Sequence, residues 1–100
     1  MPFLGNLGLG RGSDIAGAYA AFGKRAYLLI EVEPGNEVSV INELRKMKKV
    51  NSVDPVLGGY DIVCILKGTY LDIQETVMNV RKLPHVTKTT TLTAFETHLE

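Results

Sequence analysis

Between Ala26 and Glu96 the hydrophobic pattern alternates between a period of two and a period of about 3.6 residues, in the order strand, helix, strand, strand, helix, strand. That order limits the folds open to the chain more than any other feature does. Ala26 to Val32 reads as a strand that Pro34-Gly35 stops. A helix runs from Asn36 or Glu37 to about Lys49, with Val40, Ile41, Leu44 and Met47 on one face. Arg45, Lys46, Lys48 and Lys49 crowd its end and complement the negative end of the helix dipole. Val50 to Leu57 is a second strand, and Pro55 cannot donate to a ladder, which places this strand at a sheet edge or a bulge. Gly58-Gly59 makes a tight connection into a third strand, Tyr60 to Lys67. Thr69 caps a second helix to about Leu83, with Tyr70, Ile73, Val77 and Val80 on one face and Asp72 in the first turn. Pro84 ends it. Val86 to Glu96 is the last strand, where Thr87, Thr89, Thr91, Thr93 and Phe95 alternate with Val86, Lys88, Thr90, Leu92 and Ala94.

Two strand-helix-strand halves joined by a central hairpin define a ferredoxin-like α+β sandwich, a four-stranded antiparallel sheet with both helices on one face. The second and fourth strands are then its edges, where Pro55 belongs. Helices cover one face only, yet two strands are apolar on both. Ile62, Cys64 and Leu66 oppose Val63 and Ile65; Leu28, Ile30 and Val32 oppose Tyr27 and Leu29. A bare face of that kind is too apolar for a monomer, so either a second copy packs on it or the N-terminal arm folds back. The Gly-rich arm makes a poor lid, and the pattern predicts a homodimer packed sheet on sheet, a dimeric α+β barrel. Lys+Arg and Asp+Glu number 11 each, and the resulting zero net charge lets copies approach without long-range repulsion.

The same balance supplies no positive surplus for phosphate backbones, so direct DNA binding is not expected. At 100 residues, 45% of them hydrophobic, the chain makes one domain. Composition divides it into a Gly-rich arm, 1–24, with a short helix expected from about Ile15 to Phe22, and a regular folded unit, 25–97. Gly8-x-Gly10-x-Gly12 lacks the preceding strand that a phosphate loop requires. Cys64 stands alone inside an apolar run, which reads as core and excludes an internal disulfide. His85 and His98 have no acidic partner at a fixed spacing and read as surface residues. No metal site, cofactor or catalytic residue is called for, and a non-enzyme is expected. No apolar stretch approaches a membrane span, and the default location is cytoplasmic. Leu99-Glu100 is assigned nothing.

Three segments together carry a family resemblance: Ala26-Tyr27-Leu28-Leu29-Ile30 with Pro34-Gly35, Leu57-Gly58-Gly59-Tyr60-Asp61-Ile62, and Leu83-Pro84-His85-Val86-Thr87-Lys88-Thr89-Thr90-Thr91. In order and spacing, residues 26 to 96 resemble the effector-binding (RAM) domain of the Lrp/AsnC transcription regulators. Full-length members carry a helix-turn-helix domain ahead of this module; only 24 Gly-rich residues precede it here, so the chain resembles the stand-alone members. The resemblance implies dimers assembled into an octamer or decamer, an amino acid or related effector bound where dimers meet, and a full-length regulator as partner. It places the ligand at Gly58, Gly59, Tyr60 and Asp61 and at Thr89, Thr90 and Thr91.

Chemistry supports that location. A free amino acid is a zwitterion that needs an anion for its ammonium and donors for its carboxylate. Asp61 supplies the anion, and the Gly58-Gly59 backbone permits close approach with exposed N–H groups. Two rivals share the strand order. An ACT-type regulatory domain would bind near Glu33-Pro34-Gly35-Asn36 instead, and a small dimeric enzyme such as a monooxygenase would need catalytic groups that are scarce here.

Overall fold

The computed structural model describes residues 25–94. The Gly-rich arm with its short helix, and Phe95, Glu96, His98 and Leu99-Glu100, lie outside the described residues. Six elements follow in the expected order: β1 (Arg25–Val32), α1 (Glu37–Arg45), β2 (Val50–Pro55), β3 (Ile62–Lys67), α2 (Tyr70–Arg81) and β4 (Val86–Ala94). The strands form one antiparallel sheet in the order β2-β3-β1-β4. The ferredoxin-like α+β sandwich is therefore the fold, with β2 and β4 as edges and Pro55 closing an edge strand.

The core lies between one sheet face and the helices. Ala26, Leu28, Ile30 and Val32 from β1 and Ile62, Cys64 and Leu66 from β3 meet Val40, Ile41 and Leu44 from α1 and Ile73 and Val80 from α2. Register explains the alternation, because Leu28 faces Cys64 and Ile30 faces Ile62 across the ladder. Burial pushes the Cys64 thiol up to about 12, aided by the nearby Asp54 carboxylate. A thiol reagent at pH 8 is accordingly expected to leave Cys64 untouched in the folded protein and to label it fully in denaturant, as read by mass spectrometry.

Both helices differ from expectation in detail. The first ends at Arg45, not Lys49, because Lys46 and Met47 donate to carbonyls three residues back and turn the chain into β2. Met47 still packs on the core from that turn. In α2 the buried face centres on Thr76 rather than Val77, which is only half-buried. A threonine is tolerated there because its hydroxyl donates to the Asp72 carbonyl at 2.7 Å.

Thr69 caps α2 as expected, in a reciprocal box. Its hydroxyl accepts from the Asp72 N–H at 3.1 Å, and its own N–H donates to Asp72 Oδ2 at 2.9 Å. Gly68 lies immediately before, at φ +153°, where an added Cβ would sit 2.8 Å from the Asp72 side chain. The Thr69 backbone hydrogen bond, then the Lys49 ammonium at 3.4 Å, hold the Asp72 carboxyl below its ordinary 3.8. A folded value below the unfolded one means that this stabilisation is complete above the ordinary value and lost as pH falls through the lowered one. Asp72→Asn is expected to flatten the acid limb of a stability-versus-pH curve, and Thr69→Ala to cost about 1 kcal/mol at neutral pH, both measured by denaturant melts.

Candidate effector site

The segment between β2 and β3 is not the tight hairpin that Gly58-Gly59 advertises. Residues 56–61 form a wider loop, closed by the Val56 N–H donating to the Asp61 carbonyl at 2.9 Å. Gly58 takes φ +138°, a region closed to other residues, and both glycines are exposed with open space where a Cβ would be. β3 starts at Ile62 rather than Tyr60 because the Asp61 N–H turns to the Ile30 carbonyl of β1, at 2.9 Å.

Asp61 is half-buried and partly committed to the fold. Its Oδ2 accepts the Val32 N–H at 2.9 Å, at the point where the β1–β4 register shifts. Among the described residues no group bonds its other carboxylate oxygen, Oδ1. Tyr60 lies across the open sheet face, and its hydroxyl shares a 2.9 Å hydrogen bond with Thr90 Oγ1. Loop and last strand, 30 positions apart in sequence, thus meet at one corner.

The three threonines do not share one face of the sheet. Thr90 pairs with Leu29 and lies on the open face, whereas Thr89 and Thr91 pair with Ile30 and Leu28 and lie on the helix side. Strand alternation permits nothing else. The corner does include a residue that the sequence reading passed over, Lys88, whose ammonium stands 5.9 Å from the centre of the Tyr60 ring. Lys88 is registered opposite Glu31 but forms no ion pair with it. Its alternation with Thr90 in the strand was the signal available. Tyr60, Thr90 and Lys88 thus stand together, and the same loop carries the Asp61 carboxylate and an exposed glycine backbone, groups of the kinds that bind a zwitterion.

His85 is exposed, as expected, but it is not isolated. It has an acidic partner after all: Nδ1 lies 2.7 Å from Glu33 Oε1, and the Glu33 N–H donates to the His85 carbonyl at 2.9 Å. The two residues are 52 apart in sequence, beyond any spacing rule, and His85 adopts φ +74° to make the contact. The adjoining loop spends its polar groups internally, with the Gly35 N–H on Glu37 Oε1 and the Asn36 amide on the Glu33 and Pro34 carbonyls. Among the described residues no cluster suited to a metal ion occurs, and no helix is long and apolar enough to cross a membrane.

No protein-family model and no curated protein matches the chain. Solved structures do. FFRP-DM1 superposes with a TM-score of 0.69 at 27% identity, over 72% of this chain and 99% of that one. AsnC from E. coli matches with a TM-score of 0.69 at 16% identity, over 80% of this chain and 56% of AsnC. The feast or famine regulatory protein from M. tuberculosis, complexed with L-methionine, matches with a TM-score of 0.64 at 16% identity, over 85% of this chain and 58% of that one. The chain thus spans little more than half of these two regulators and nearly all of the smaller protein. Its structural neighbours are Lrp/AsnC family members and small stand-alone homologues, and its fold is that of their RAM domain.

Proposed function

We propose that this chain is a non-catalytic effector-sensing domain that binds a free amino acid at the Tyr60–Asp61–Thr90 corner and acts through a partner regulator. The observation that carries the reading is the Tyr60–Thr90 hydrogen bond, which joins two separate segments of the resemblance beside a half-buried carboxylate with one uncommitted oxygen. Asp61 receives the ligand's ammonium. Lys88, the Gly58-Gly59 backbone N–H groups and whichever of the Thr90 and Tyr60 hydroxyls does not donate to the other receive its carboxylate. The methionine held by the M. tuberculosis relative supports an amino acid as the ligand class.

The working unit is a homodimer formed through the open sheet face, where Tyr27, Leu29, Val63 and Ile65 stand beside the exposed Leu92. Dimers assemble further, to an octamer or decamer, through surfaces that include Leu57, a fully exposed leucine beside the two glycines.

An amide chemical-shift survey with the amino acids tests the location. Shifts are expected to cluster at 58–61 and 88–90. A cluster at 33–36 instead would favour the ACT-type arrangement and refute this one.

A further inference from the structure

A second cavity, of about 350 Å³, opens beside the start of β4 and the end of α2, lined by Arg81, Val86, Thr87, Lys88 and Thr89. Its size suits a small metabolite. The cavity sits where the ladder is irregular: Val32 pairs with Val86 and Glu31 with Lys88, so Thr87 has no residue opposite it on β1. Such bulges re-aim side chains, and the Thr87 hydroxyl turns to donate to the Glu31 carbonyl at 3.2 Å. Among the described residues β4 is also an edge, with no strand on its outer side.

The lining chemistry is one-sided. Arg81 is exposed in the last turn of α2, and among the described residues no carboxylate pairs with it. Thr89 is half-buried, points to the helix side, and its hydroxyl makes no hydrogen bond among the described residues. From Arg81 to Lys88 the chain carries Arg81, Lys82, His85 and Lys88 and no acidic residue. The negative end of α2 opposes an anion here, but it amounts to only about half a charge. Two of its carbonyls are already taken by the Lys82 and Leu83 N–H groups. A full guanidinium charge with a fork of donors outweighs that remainder.

We infer that this cavity is an anion-binding site for a small molecule bearing a carboxylate or phosphate, with the Arg81 guanidinium as the charge partner and the Thr89 hydroxyl as a directing donor. Arg81 and Thr89 take no part in the amino-acid corner, which shares only Lys88 with this cavity, so the inference does not rest on that reading.

Titration of the full chain with sodium phosphate and, separately, sodium succinate tests the inference by NMR, with sodium chloride at matched ionic strength as reference. Saturable shifts of the Thr87 and Thr89 amides and the Arg81 side chain are expected with at least one probe. Phosphate alone would identify a phosphorylated ligand and succinate alone a carboxylate. Arg81→Gln is expected to weaken that binding about tenfold. Asp61→Asn, and Lys82→Gln outside the cavity lining, are expected to leave it unchanged. Shifts that follow ionic strength as in chloride, or an equal loss in Lys82→Gln and Arg81→Gln, would overturn the site.

Discussion

Leu29→Asp combined with Ile65→Asp is expected to convert the proposed homodimer into an 11.0 kDa monomer by light scattering at micromolar concentration. Both residues lie on the open face of the two central strands, Leu29 opposite Val63 and Ile65 opposite Tyr27. Burying each such side chain contributes about 1.5–3 kcal/mol, and two-fold symmetry counts every substitution twice. The carboxylates add the cost of desolvating unpaired charge at the interface. The helix-side core is left intact, so circular dichroism should retain the wild-type signature. A dimeric double variant would place the interface elsewhere, and a monomeric wild type would remove it.

Asp61 yields the second large effect, and two substitutions separate its roles. Asp61→Asn keeps an oxygen to accept the Val32 N–H, so its stability should stay within about 1 kcal/mol of wild type. Asp61→Ala leaves that half-buried donor unsatisfied and should cost about 1–3 kcal/mol in a denaturant melt. Both remove the anion proposed to receive the ligand's ammonium and should weaken binding about ten- to a hundredfold. Equal stability losses in the two variants would show that the carboxylate charge, rather than the accepting oxygen, supports the fold.

The fold was largely legible because its signals are local. Period switching located every described element, Pro55 marked an edge, and Thr69 with Asp72 marked a cap. Boundaries failed where tertiary contacts competed with propensity. Asp61 bonds to β1 instead of extending β3, and Met47 reaches the core from a turn instead of a helix.

The site was legible only in part. Tyr60 and Thr90 meet, with Asp61 next to Tyr60 in the chain, but a run of threonines cannot present all its members on one side of a strand, so Thr89 and Thr91 face away. Lys88 and the Glu33–His85 pair were missed because register and a positive φ create those contacts, and neither follows from spacing along the chain.

Calorimetric titration of the twenty amino acids into the wild-type chain and Asp61→Asn tests the central claim most directly. The account predicts saturable binding of at least one amino acid by the wild type and a loss of about tenfold or more in Asp61→Asn. No binding by the wild type, or binding that Asp61→Asn leaves unchanged, would contradict it.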